Sequence, residues 1–409
     1  MRRLATIPLL CFALAITALL SSGSAARADT AAAGNALYKV YMEDELAADG
    51  IGTFTAATGP SHPVGEDENV LYNGDSADAW SSYITVRSYT TSTDYVQTTD
   101  GPTSSFAVVN MDDYATVTAI GATGHRVTYD LPGPPTTPDA LQIVFDINVN
   151  GSTFDDSTVE LTTTVTNTGD APVDIGIRYQ LDFQIAGDDG PTFAEVNPTL
   201  PPRTTENTYS PPGFLAYRIE DNPGGDPTFS IFGTSSPYPG ISPTPTAPPL
   251  LQYASWSDAY DVAFDYTTTG LDVATSGGDS AVLYYFGATT QTAISLDAAQ
   301  SQTVSESLFA TPPVLQQEIC DNGIDDDGDR LVDGDDPDCP EATPTPTPSP
   351  TPAATPTTTP TPAATALPPT GGRPTGGSGS VPWLAVAVGA IALIGSGGAW
   401  LAYQRRRAR

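Results

Sequence analysis

The feature that most restricts the fold is the apolar side chain at every second position from Val173 to Ile185. Successive side chains of an extended chain point in opposite directions, so this spacing puts all of them on one face of a strand. Shorter runs repeat the pattern at residues 141–149 and 159–165. Strands with one apolar face each predict two sheets packed together, a large antiparallel β-sandwich in a mainly β chain.

We assign residues 35–316 to this sandwich, as a single extended unit, although the length also fits two smaller ones. Within it, Leu161–Val173 passes from a threonine-rich strand through Asn167-Thr168-Gly169. This stretch resembles the immunoglobulin-like adhesion and stalk modules of bacterial surface proteins, in which a strand ends at Asn-x-Gly and turns into the next. The resemblance supports the architecture and indicates no ligand.

The N-terminal residues are typical of a secretory signal peptide. Met1-Arg2-Arg3 is basic, Leu4–Leu20 is apolar, and Ala26-Arg27-Ala28 has the small residues of a cleavage site. This order of basic, apolar and small-residue regions marks an exported chain. We therefore predict a signal peptide at residues 1–28 that is cleaved after Ala28.

The C-terminal region combines a short motif, an apolar segment and a basic segment. The motif is Leu367-Pro368-Pro369-Thr370-Gly371, the apolar segment is Val381–Tyr403, and arginines follow it. At about 1.5 Å per residue a helix over 381–403 spans roughly 34 Å, enough to cross a hydrocarbon core of about 30 Å. The arginines favour the cytoplasmic side, which places the main body outside the cell.

This order, over residues 367–409, resembles the cell-wall sorting signal of Gram-positive surface proteins, whose motif is Leu-Pro-x-Thr-Gly. The resemblance implies that a sortase cleaves after Thr370 and transfers that residue to peptidoglycan. Pro368 and Pro369 keep the motif extended, since proline restricts its own φ angle and disfavours helix before it. The implied partners are sortase and peptidoglycan, and the implied location is extracellular, with a membrane-inserted C-terminal segment before processing. A plain single-pass membrane anchor is the alternative.

An acidic segment at 318–340 contains two cysteines, Cys320 and Cys339, and a dense set of aspartates between them. An even cysteine pair in an exported chain predicts a disulfide. The spacing resembles the calcium loops of thrombospondin type 3 repeats and of EF-hands. That resemblance implies Ca²⁺ as cofactor and five ligands: Asp325, Asp327, Asp329, Asp333 and Asp336.

This loop departs from the EF-hand pattern in two places. Arg330 stands where that loop has glycine, and Asp336 replaces its long glutamate. A thrombospondin-like loop closed by the disulfide therefore fits better, and a solvated acidic linker is the alternative. Residues 341–366 contain mostly threonine, proline and alanine, which cannot form a core, so we predict a disordered stalk there.

A second acidic group lies inside the sandwich, on the polar side of the alternating strand and in the loop after it. Its members are Arg178, Asp182, Asp188 and Asp189. One interpretation is a cation or sugar site at the edge of the sandwich, and the other is a surface ion pair beside a polar turn. Trp80 and Trp256 also have two interpretations, which are stacking on sugar rings and packing in the core.

Function is constrained more by exclusion than by motifs. With 48 acidic and 15 basic residues, the chain has a net charge of −33 at pH 7, which excludes a nucleic-acid partner. His62 and His125 are the only histidines, Lys39 is the only lysine, and no nucleophile-elbow, zinc-protease or phosphate-loop motif occurs. We therefore predict a non-enzymatic structural or adhesive surface protein.

Its partner outside the cell would be a surface glycan or another surface protein. The alternative is a membrane-anchored carbohydrate-binding protein, or a glycoside hydrolase that uses two carboxylates.

Overall fold

The computed structural model describes most of the segment assigned to the sandwich. The described residues are 30–45, 50–98, 101–196, 200–221, 227–238, 240–274 and 278–310. They form a mainly β structure with one short helix, α1 (Trp256–Tyr260), and two 3₁₀ turns, at Gly74–Ser76 and Asp112–Tyr114. The prediction of a mainly β sandwich is confirmed.

Two large sheets and one small sheet contain the described strands. In spatial order, the first large sheet consists of β12 (Thr192–Val196), β14 (Ala216–Glu220), β15 (Ser230–Thr234), β19 (Ser301–Phe309), β10 (Thr158–Asn167), β9 (Ala140–Asn150), β8 (Gly124–Pro132) and β7 (Ala115–Ile120). The second consists of β13 (Asn207–Tyr209), β16 (Leu250–Ser255), β17 (Ser280–Phe286), β11 (Val173–Phe183), β4 (Tyr83–Ser88), β5 (Thr93–Val96) and β6 (Ala107–Asn110), with β18 (Ile294–Leu296) also paired to β11. The small sheet consists of β1 (Ala33–Gly34), β2 (Tyr38–Met42) and β3 (Phe54–Thr58).

Neighbouring strands run antiparallel in these sheets except for β5 and β6, which are parallel. The main core lies between the two large sheets. Phe145 of β9 and Tyr179 of β11 meet across it with ring centroids 6.2 Å apart, and Tyr179 also contacts Phe286 of β17. Side chains of β9 alternate between buried and half-buried, as the period-two pattern predicts for a strand with one face on a core.

The alternating strand β11 differs from β9, because both of its faces are buried over most of its length. The outer face of its sheet is covered by α1 and the segment that follows it. Trp256, Tyr260 and Phe264 of this covering segment, residues 256–266, form a second apolar cluster with Tyr83 and Tyr285 of the sheet. The sheet is therefore packed on two sides at this point.

Across the described ranges, no helix combines the length and the apolar character needed to cross a membrane. The predicted transmembrane helix at 381–403 and the predicted stalk at 341–366 lie outside the described residues.

Candidate functional site

The site residues predicted from the terminal regions lie outside the described residues. They are Ala28, the two cysteines Cys320 and Cys339, the five aspartates of the predicted calcium loop, and the sorting motif at residues 367–371. These assignments, and the Ca²⁺ that the loop implies, stay predictions.

Arg178 and Asp182 are not the surface ion pair that their spacing suggested. Both are buried, at 0% and 1% exposure, because the covering segment lies over their face of β11. The Arg178 guanidinium donates to the Val262 carbonyl at 2.7 Å and to the Gln180 side chain at 2.7 Å. Arg178 thus fixes the covering segment to the sheet and leaves Asp182 to other neighbours.

The neighbours of Asp182 are two further aspartates. Asp182, Asp189 and Asp279 each place a carboxylate oxygen within 4.8 Å of the other two; we call them the aspartate cluster. Asp182 is buried, and the other two are half-buried. Asp182 lies near the end of β11, Asp189 in the loop after it, and Asp279 directly before β17.

Strand pairing explains why these three positions converge. In the antiparallel pair of β11 and β17, Phe183 lies opposite Ser280, so the end of one strand meets the start of the other. The Ser280 amide donates to the Asp189 carbonyl at 3.1 Å, and the Tyr253 hydroxyl donates to the Pro191 carbonyl at 2.7 Å. The loop after β11 is thereby held against the start of β17.

Gly190 lets this loop approach the chain before β17. A Cβ atom built on Gly190 would lie 2.6 Å from the Val273 carbonyl oxygen and 2.8 Å from the Gly278 carbonyl carbon. Replacing Gly190 by alanine is expected to destabilise the fold by about 1–3 kcal/mol through overpacking. Denaturant unfolding measures this loss. Gly187→Ala is the matched control, since a Cβ there meets nothing within 4 Å; equal losses in both variants would contradict the explanation.

The electrostatics of the cluster favour neutral carboxyls when nothing else is bound. Burial raises the pKa of Asp182 well above its ordinary value, and the nearby Asp279 and Asp189 carboxylates raise it further. Burial also raises the pKa of Asp279, with a contribution from Asp189. The Oδ1 atoms of Asp182 and Asp279 are buried without a hydrogen-bond partner, which costs about 1–3 kcal/mol per group.

Two chemical states relieve this cost. Protons can neutralise the carboxyls, or a cation can neutralise them while they stay ionised. Asp182 and Asp189 were recognisable from sequence as an acidic strand end and loop, whereas Asp279 was missed. The only signal for it is an acidic residue just before a strand, and the pairing partner of that strand is not readable from a single sequence.

The remaining candidate side chains have packing roles. Trp256 is buried and meets the half-buried Trp80 edge to face, with ring centroids 5.3 Å apart, so the core interpretation of these tryptophans holds. His62 packs against Phe154 and Phe229, and burial lowers its pKa to about 4. Neither described histidine belongs to the aspartate cluster.

In comparisons with known proteins, only solved structures are similar to this chain. No protein-family model and no curated protein matches the chain. A galactose mutarotase-like protein from Lactobacillus casei is similar at 11% identity and a TM-score of 0.40, over 68% of this chain and 99% of that one. A putative aldose 1-epimerase from Klebsiella pneumoniae is similar at 11% identity and 0.25, over 48% and 53%. A GH36 α-galactosidase from Geobacillus stearothermophilus is similar at 7% identity and 0.31, over 68% and 39%.

These likenesses contradict the prediction that the chain is not an enzyme, because the similar structures include carbohydrate-processing enzymes by name. The prediction depended on missing motifs, and missing motifs exclude only the chemistries that use them. The likenesses are distant in sequence, and no residue of this chain receives a role from them.

Proposed function

We propose that this chain is a secreted surface protein that carries its β-sandwich outside the cell and is linked to peptidoglycan through Thr370. The observation that carries the proposal is the order of three sequence features: the motif at 367–371, the apolar segment 381–403 and the arginines after it. Each feature alone is common. Together they give a cleavage site, a membrane stop and a cytoplasmic retention signal at the spacing that sortase processing needs.

The composition supports the same proposal. The 48 acidic residues against 15 basic ones keep such a protein soluble outside the cell. The proline- and threonine-rich segment at 341–366 separates the sandwich from the motif. This order of segments fits a structural or adhesive role at the wall.

Wall linkage is tested on native cells by muralytic digestion and mass spectrometry of the wall fraction. We expect a C-terminal peptide that ends at Thr370 and carries a peptidoglycan fragment. Replacing Thr370 by alanine should abolish this species and move the protein to the membrane fraction, because threonine is a fixed position of the motif that the sortase must recognise before it cleaves there.

Thr365→Ala is the matched control, since it removes a threonine outside the motif and should leave wall linkage intact. An unprocessed tail in the membrane fraction of wild-type cells would refute the proposal and leave a membrane-anchored protein.

A further inference from the structure

We propose that the aspartate cluster, Asp182, Asp189 and Asp279, is a binding site for a divalent cation, and that the cation is Ca²⁺. The site lies within the sandwich, so it is independent of wall linkage and of the predicted loop at 318–340. Three carboxylates from separate parts of the chain meet there within 4.8 Å. Carboxylate oxygens are the ligands that hard divalent cations prefer.

A second observation points to a ligand. Asp182 is 1% exposed, and its Oδ1 atom has no hydrogen-bond partner although it faces two other carboxylates. Buried polar atoms in folded proteins almost always have a partner. The Oδ1 atom of Asp279 is also buried without a hydrogen-bond partner. None of the ion pairs between described residues includes Asp182 or Asp279, so within that part of the chain these two carboxylates have no guanidinium or ammonium partner.

The ligand set favours Ca²⁺ over Mg²⁺. Ca²⁺ binds oxygen at about 2.3–2.6 Å, so two ligands on opposite sides of it are roughly 4.6–5.2 Å apart. Oxygens no more than 4.8 Å apart therefore fit around Ca²⁺ as they stand. Mg²⁺ usually keeps several of its waters and is held by one or two carboxylates, so a site with three carboxylates suits Ca²⁺ better. Second carboxylate oxygens and water would complete the six to eight ligands of Ca²⁺.

The backbone around the cluster is suited to holding a cation. The Asp182 carbonyl accepts from the Tyr72 amide at 2.9 Å, and the Asp279 carbonyl accepts from the Trp256 amide at 3.1 Å. The Asp189 carbonyl accepts from the Ser280 amide at 3.1 Å. The backbone at each ligand is thus tied to a neighbouring element, which leaves the carboxylates to turn toward one point.

The test uses the detergent-solubilised full chain in which Asp325, Asp327, Asp329, Asp333 and Asp336 are replaced by asparagine, so that the predicted loop contributes no Ca²⁺ binding. Thermal unfolding is measured at pH 8 in EDTA and in Ca²⁺. We expect Ca²⁺ at about a hundredfold its Kd to raise the Tm by roughly 5–10 °C. Asp182→Asn and Asp279→Asn in this background should each abolish the rise.

The matched control is Asp188→Asn, which neutralises the adjacent aspartate of the same loop outside the cluster and should keep the rise. In EDTA, Asp182→Asn should be at least as stable as its parent, because it removes a buried ionisable group; this shows that the variant folds. Direct binding of Tb³⁺, followed by its luminescence, should fall from one ion per chain to none in the half-buried Asp279→Asn variant.

A Ca²⁺-dependent rise that persists in both cluster variants would overturn the proposal, and so would the absence of any rise in the parent. An equal rise with Mg²⁺ would overturn the assignment to Ca²⁺.

Discussion

Replacing Arg87 by alanine is expected to lower the free energy of unfolding by about 3–5 kcal/mol, because Asp94 would be left buried without its partner. Arg87 Nε and Nη2 donate to the two carboxylate oxygens of Asp94 at 2.6 and 2.8 Å, and the Asp94 side chain is 0% exposed. Nη1 donates to Asp265 at 2.5 Å. Asp265 belongs to the covering segment, so the variant also loses a contact that holds this segment on the sheet.

The aromatic contacts of Arg87 add to the expected loss. Its guanidinium lies 4.3 Å from the centre of the Phe106 ring and 4.4 Å from that of Phe264, distances at which a cation is attracted to the ring face. Phe264 is again part of the covering segment. Chemical denaturation monitored by tryptophan fluorescence measures the effect, since Trp256 lies in the same segment.

Arg126→Ala is the control for this prediction. Arg126 also forms a bidentate ion pair, with the carboxylate oxygens of Asp146 at 2.7 and 2.6 Å, but the Arg126 side chain is 48% exposed. Exposed pairs contribute about 0–1 kcal/mol, so the loss should be small. Similar losses in the two variants would show that burial of the Arg87 pair does not set its contribution.

The strands were predictable from sequence because their signal is local. The apolar run at 141–149 predicts one strand, and β9 occupies Ala140–Asn150 with one buried face. Pattern and structure agree there because the side chains on the outer face of β9 are only half-buried. The same reasoning placed a strand at 173–185, and β11 is present at Val173–Phe183.

The burial of the polar face of β11 was not predictable in this way. It depends on the covering segment, which is more than 70 residues further along the chain and includes only the five residues of α1 as regular structure. The sequence pattern indicated exposed side chains for Arg178 and Asp182, because charged residues mostly lie at the surface. Here Arg178 instead donates to backbone carbonyls of a distant segment, those of Val262 and Phe264. Long-range packing therefore determines the contacts of these side chains. The aspartate cluster likewise depends on the pairing of β11 with β17, two strands that are distant in sequence.

Replacing Glu306 by glutamine is expected to make the free energy of unfolding depend less on pH. Glu306 of β19 is fully buried; its Oε2 atom accepts from the Thr234 hydroxyl at 2.5 Å, and Oε1 has no hydrogen-bond partner. Burial raises the pKa of this carboxyl well above its ordinary value, while the Thr234 hydrogen bond lowers it. The folded state therefore keeps a proton that the unfolded state has released.

The sign of the effect follows from that difference in bound protons. Above the unfolded pKa of about 4.3, the folded chain binds more protons at Glu306 than the unfolded chain, so stability falls as pH rises toward the folded pKa. The two histidines have the opposite effect on stability. Burial lowers the pKa of His62 and His125, so below about pH 6.5 the unfolded state binds more protons at these residues than the folded state, and stability rises with pH. Both histidines are present in wild type and variant, so their contribution cancels in the difference between the two.

The measurement is denaturant unfolding of wild type and Glu306→Gln from pH 5 to pH 8 in EDTA. As pH rises, the free energy of unfolding of the variant should increase relative to that of the wild type. The increase is up to about 1.4 kcal/mol per pH unit for a single proton. Asp182→Asn should show the same sign, since burial also raises the pKa of Asp182. Parallel stability curves for the wild type and Glu306→Gln would mean that Glu306 releases its proton at the same pH in both states, and burial of the carboxyl would then not control the acid–base behaviour of the sandwich.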